Sequence, residues 1–166
     1  MAKALLITET DLKKYSILSG NVDTDKFIQY VSIAQDIHIK NYLGTNLLEK
    51  IQSDIVAGTL TGDYLTLTDT YVKPMLIHWA LVEYLPFAAY TVANKGVFKH
   101  TGEASTSVDK NEIDYLVEKE RNIADSYTNR FIDYMCFNYS LFPEYTNNTN
   151  EDVFPSKKSD FSGWVI

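Results

Sequence analysis

Apolar residues recur along this chain at helical, not strand, spacing. Phe27, Val31, Ala34, His38 and Tyr42 follow at steps of four, three, four and four, and Ile33 and Ile37 widen the stripe. Asp23 or Thr24 supplies the N-cap. The helix is expected to run to Leu43, with Gly44 as its stop. Ahead of it, Thr8 and Asp11 have the spacing of a capping box, which predicts a short helix through Tyr15, broken by Ser19-Gly20-Asn21. Behind it, Leu47, Leu48, Ile51 and Ile55 predict a helix that ends at Gly58.

A polar turn then leads to a long helix, expected from Thr68 or Asp69 to Asn94. Pro74 falls in its first turns, and Pro86 lies inside, where it should kink the helix. Leu76, Ile77, Trp79, Leu81, Val82, Leu85, Phe87 and Tyr90 point almost all round. Such a helix belongs at the centre of a bundle or in a subunit interface. Residues 96–108 turn polar and read as an extended loop or short hairpin. Asp109 caps a last helix to about Tyr139, roughly 45 Å long. Ile113, Leu116, Ile123, Tyr127, Phe131 and Tyr134 mark its packed face. Glu118, Lys119, Glu120, Arg121 and Asp125 mark its solvated face.

The expected fold is therefore all-α: a bundle of about four to five helices, two of them long, with the polar loop or hairpin and an extended C-terminal arm. Residues 1–145 form the helical core and residues 146–166 the arm. Pro143, Pro155 and the run Asn147-Asn148-Thr149-Asn150 keep the tail from being a stable helix. Yet Phe154, Phe161, Trp164, Val165 and Ile166 are apolar. They make the tail a candidate docking segment, seated either on the protein's own core or on a neighbouring chain.

Composition narrows the function. The 166 residues carry a net charge of −7 and no basic block, which argues against an electrostatic grip on nucleic acid or on an anionic membrane. Twelve Tyr and eight Phe suit surfaces that are wet in the free protein and buried in a complex. The single cysteine, Cys136, excludes an intrachain disulfide and sits in an aromatic setting that reads as buried filler. The stretch 75–93 is mostly apolar, but His78, Glu83 and Pro86 favour a buried helix over a membrane span. The N-terminal apolar run is too short for a signal peptide, and synthesis in a reducing cytosol is expected.

Chemistry is harder to find. HExxH, GxSxG, GxxxxGK[ST] and GxGxxG are all absent. His38, His78 and His100 lie far apart in sequence, with no carboxylates at metal-ligand spacing, and His38 reads as a packed, hydrogen-bonded histidine. The chain is expected to be neither an enzyme nor a cofactor or metal protein.

The order of segments resembles the small helical head–tail connector, or adaptor, proteins of tailed bacteriophages, in the form found in phages of Bacteroidetes-type hosts. The likeness covers about residues 5 to 145. It rests on Leu6-Ile7-Thr8-Glu9-Thr10-Asp11-Leu12-Lys13-Lys14-Tyr15 and on Ile33-Ala34-Gln35-Asp36-Ile37-His38-Ile39-Lys40-Asn41-Tyr42-Leu43-Gly44. It continues in Lys73-Pro74-Met75, Trp79-Ala80-Leu81, Glu83-Tyr84-Leu85-Pro86-Phe87 and Asn94-Lys95-Gly96-Val97, then in Tyr127-Thr128-Asn129-Arg130 and Leu141-Phe142-Pro143-Glu144-Tyr145. The combined order carries the likeness, not any one stretch.

The resemblance implies a structural virion protein at the head–tail junction, forming an adaptor ring of about twelve copies below the portal. Its expected partners are its own copies, the portal protein and a tail or stopper protein below, with genomic DNA passing through the channel unread. Under this reading Phe154, Phe161, Trp164, Val165 and Ile166 dock on the portal or a neighbour. Val97, Phe98, Lys99, His100, Thr101 and Glu103 form a loop facing the channel or the next ring. The alternatives are another neck or head- or tail-completion protein of the phage, or a small helical regulatory binding protein.

Overall fold

The computed structural model describes residues 3–18, 24–88, 90–93, 96–99, 110–149 and 152–158. Apart from one two-stranded hairpin, these residues form an all-α bundle. The first helix, α1 (Glu9–Tyr15), opens with the expected reciprocal cap. Thr8 Oγ1 accepts from the Asp11 N–H, and the Asp11 carboxylate accepts from the Thr8 N–H. Ahead of it the chain is tied down by Gln35, whose amide accepts from Leu6 N–H and donates to Ala4 O, and by Gln52, which also donates to Ala4 O. Leu6, Ile7 and Leu12 are thereby buried.

The next helical run passes from α2 (Thr24–Ala34) through a wide π turn (Gln35–Ile39) into α3 (Lys40–Ala57). In the π turn, Lys40 N–H bonds to Gln35 O, five residues back. The extra residue moves the buried position on to Ile39. Phe27, Val31, Ala34 and Tyr42 face the core as expected, but Ile33 and Ile37 do not widen that stripe and are exposed. Gly44 interrupts the run without ending it. Its φ of 76° and ψ of 164° lie in a region essentially reserved for glycine, and helix resumes on its far side. Gly58 closes α3 in the left-handed conformation.

The central helical run begins earlier than its sequence pattern predicts, at α4 (Gly62–Leu67). It crosses a second π turn (Thr68–Val72) into α5 (Lys73–Tyr84) and ends in a 3₁₀ turn (Leu85–Phe87). Both prolines explain its shape. Pro74 lacks an N–H and would press on the Thr70 carbonyl in a regular helix. The π turn absorbs this, with Lys73 N–H reaching Thr68 O. Pro86 stops the α-helix at Tyr84, not at Asn94. Beyond it the backbone forms an antiparallel hairpin of β1 (Tyr90–Ala93) and β2 (Gly96–Lys99), pairing Tyr90 with Lys99 and Ala93 with Gly96. The hairpin thus starts where the long helix was expected to continue.

Helix α5 is the centre of the bundle. Met75, Leu76, Ile77, Trp79, Ala80, Leu81 and Val82 are all buried, and each of the larger ones contributes about 1.5–3 kcal/mol. One side packs on α2, the other on α6 (Lys110–Asn138). Helix α6 is covered from Glu120 onward: Glu120, Ala124, Thr128, Phe131, Ile132 and Met135 are buried, while Tyr115 and Leu116 are exposed, Leu116 against its expected place on the packed face. A 3₁₀ turn (Tyr139–Leu141) and α7 (Pro143–Thr146) then carry Phe142 and Tyr145 into the core, with α7 against α3.

The folded contacts continue past residue 145. Thr45 N–H donates to Val153 O at 3.0 Å, and Val153 N–H donates to Thr45 Oγ1 at 3.0 Å. Ser156 N–H donates to Asn41 O at 2.7 Å, and Asp152 pairs with Lys40 and Thr45. Pro155 is buried against Gly44, where a Cβ would sit 2.7 Å from the proline ring. Gly44→Ala should therefore combine backbone strain of about 1–3 kcal/mol with displacement of the arm. Gly58→Ala, whose added methyl meets nothing within 4 Å, should show only the strain of its own left-handed conformation. Urea unfolding of both variants checks the order, and hydrogen exchange at Thr45 and Val153 should rise in the first alone.

Candidate interaction surfaces

Two histidines with no carboxylate at metal-ligand spacing in the sequence each meet one through the fold. His38, on the first π turn, meets Glu83 of α5 at 2.8 Å and stacks on Trp79 with ring centres 4.0 Å apart. Trp79 Nε1–H donates to Thr128 Oγ1 on α6 at 3.0 Å. His78, the residue before Trp79, meets Glu120 of α6 through Nδ1 at 2.7 Å and stacks on Tyr127. Glu120 is thus a buried residue and not part of a solvated face. The His38 reading as a packed, hydrogen-bonded side chain agrees with this geometry. No sequence spacing announced either pair, because each joins residues more than forty positions apart, 45 for His38–Glu83 and 42 for His78–Glu120.

A cleft of about 440 Å³ opens beside His78, walled by Asp11 and Tyr15 of α1, Asp69 and Lys73 of the central run, and Tyr127 and Arg130 of α6. Lys73 lies 2.7 Å from Asp69 and 3.5 Å from Asp11. Burial by itself would push the Asp11 carboxyl up. The hydrogen bonds from Thr8 and the charge of Lys73 outweigh it and hold the group below the ordinary carboxylate range. Burial works against the Lys73 charge too, but its two aspartates raise it. Arg130 lies over the Tyr71 ring at 5.1 Å, and Tyr71 stacks on Tyr134. The cations of this cleft are engaged by carboxylates and rings, so it clamps α1 and α6 to the central run. Among the described residues, no group of His, Cys, Asp and Glu could hold a metal ion, and no helix is long and apolar enough to cross a membrane.

A second concavity is of another kind. Met135 and Cys136 from the end of α6, Tyr139 from the turn after it, Tyr145 and Thr146 from α7, and Phe154 and Lys157 from the arm line a groove of about 310 Å³. Cys136 is exposed, which corrects its reading as buried filler. Position 136 follows Met135, the last buried residue of α6, and turns outward. Phe154 is 65% exposed although the backbone on either side of it is hydrogen-bonded to α3. Of the other expected docking residues, Phe161, Trp164, Val165 and Ile166 lie outside the described residues, as do His100, Thr101 and Glu103 of the expected loop. Val97, Phe98 and Lys99 form β2, of which only the backbone is described.

A family model, DUF6712, described as a family of unknown function, matches residues 39–155. The chain belongs to the DUF6712 family. The match begins at the end of the first π turn and closes on Pro155, so the DUF6712 region contains both Gly44 and the arm residue seated on it. No curated protein and no solved structure matches the chain.

These pairings give two predictions. His78→Ala leaves the buried Glu120 without its hydrogen-bond partner and should cost about 1–3 kcal/mol. His38→Ala should cost less, because the Glu83 side chain is 31% exposed and can be rehydrated. Chemical denaturation of both gives the order. Asp11, with its carboxyl lowered in the fold, adds stability that is complete above the ordinary carboxylate pKa of about 4 and is lost as pH falls through the lowered value. Asp11→Asn should accordingly lose less stability than the parent between about pH 6 and pH 3, measured as the shift in urea midpoint.

Proposed function

We propose that the chain is a structural subunit of a bacteriophage neck, assembling as the adaptor ring below the portal, extending the DNA channel and joining head to tail. The resemblance of its segments to head–tail connectors motivates the reading. The observation that carries it is the presence of large apolar side chains on the outside at two unlike places. Near the end of α2 and in the π turn that follows it, Ile33 and Ile37 are exposed, and the half-buried Tyr30 of α2 stacks on the 56%-exposed Phe87. At the end of α6, Phe137 is 86% exposed and Leu141 lies close by in sequence, also exposed. A closed ring is built from heterologous contacts, in which one patch of each subunit meets a different patch of the next. Grouped apolar residues on an outer surface suit such contacts. A net charge of −7 suits a subunit past which DNA slides, because few cations are available to hold phosphates.

The reading is tested with purified portal rings. The chain should co-sediment with them, and Ile33→Asp and Phe137→Asp should each abolish ring formation while leaving the helical circular dichroism unchanged. Failure to co-sediment, together with normal head–tail joining in virions lacking the protein, would sink it.

A further inference from the structure

We infer that the cleft between α1, the central run and α6 is a binding site for a small zwitterion, an α-amino acid with a ring-bearing side chain. Its carboxylate pairs with Arg130, and its ammonium with the aspartates around Lys73. The inference does not depend on the ring reading, since it concerns a cleft within one subunit.

The charges of this cleft are separated, not cancelled. Lys73 is one ammonium between two carboxylates, 2.7 Å from Asp69 and 3.5 Å from Asp11. That end of the cleft therefore carries a surplus negative charge. Asp11 is held ionised there, with its carboxyl below the ordinary range. The Asp69 side chain is 48% exposed and meets Lys73 through one oxygen, so a second cation can approach it. Arg130 also lines the cleft and has no carboxylate partner among the described residues. A guanidinium whose partner is a ring keeps N–H groups for a carboxylate, which it grips in bidentate fashion. That ring is Tyr71, in the π turn between Asp69 and Lys73, so the unmatched positive and negative groups are neighbours. An α-amino acid carries the two complementary charges on a single carbon.

The other walls suit a ring. Tyr15, Pro74, Ile77 and Tyr127 line the cleft. The His78 ring is held flat against Tyr127, with centres 5.2 Å apart, and its Nδ1 is tied to Glu120. A carboxylate only accepts, so Nδ1 carries the proton and Nε2 of the neutral ring is left as an acceptor. Nε2 has no partner among the described residues. A cavity of about 150 Å³ takes one benzene-sized ring. At about 440 Å³ the cleft has room for a ring together with the amino and carboxylate groups, and it falls within the size range of small-molecule sites.

The test titrates phenylalanine into the full chain. Phenethylamine, which lacks the carboxylate, and phenylpropionate, which lacks the ammonium, are the companion probes. Calorimetry gives affinity, and the His78 ring signals in NMR give the place. Phenylalanine should bind with a Kd of about 1 mM or tighter and shift the His78 signals. It should bind about tenfold or more tightly than either companion. Arg130→Gln should remove its advantage over phenethylamine, and Asp69→Asn should reduce its advantage over phenylpropionate. Both residues are exposed, so the helical signal should persist in each variant. No saturable binding up to about 10 mM, equal affinity for either companion probe, binding that leaves His78 unmoved, or full affinity in Arg130→Gln would each overturn the inference. Should a variant lose its helical signal, the three probes on the parent chain decide alone.

Discussion

The fold depends on covering α5. A helix that is apolar all round gains nothing until it has neighbours on every side, and seven of its residues are out of water. Helix α2 takes one flank and α6 another. Several polar groups that enter this contact find partners across it. Trp79 donates to Thr128, whose hydroxyl also bonds back to Ala124 O. His38 and His78 reach Glu83 and Glu120. These paired groups fix how the helices sit along one another, which apolar contact by itself, being non-directional, does not.

A second constraint is the break at Gly44. Its conformation opens the helix surface, and the missing side chain leaves the space that Pro155 occupies. Thr45, just past the break, uses both its backbone N–H and its hydroxyl to hold Val153. A feature that reads locally as a helix stop thus acts as a docking point for the chain's far end. The DUF6712 match spans both partners of this contact. The arm is accordingly part of the folded unit as far as Ser156.

The outer surface connects these constraints to assembly. The π turn that brings Ile39 inward leaves Ile37 outside, and the chain turn after α6 leaves Phe137 and Leu141 outside. In the proposed ring these residues meet neighbouring subunits.

Much of the fold is legible in local pattern. The Thr8–Asp11 cap, the stop at Gly58, the buried face of Phe27, Val31 and Ala34, the all-round burial of α5 and the extent of α6 all arise from forces acting within a few residues. The departures have non-local causes. Pro74 is expected in the first turns of its helix, but α4 precedes it and a π turn absorbs the ring. Glu120 looked like one more charge on a wet face until α5 brought His78 to it. Cys136 looked buried because its neighbours are aromatic, yet the helix face on which it sits turns to solvent. The groove joins α6, α7 and an arm that returns across the bundle, and the bond between Thr45 and Asp152 spans 107 residues. Sequence by itself determined most of the helical segments and the main buried stripes, because capping and hydrophobic periodicity are local. Only the tertiary structure decided which charges pair, which apolar residues stay outside and where the arm lies, because those depend on which distant elements meet.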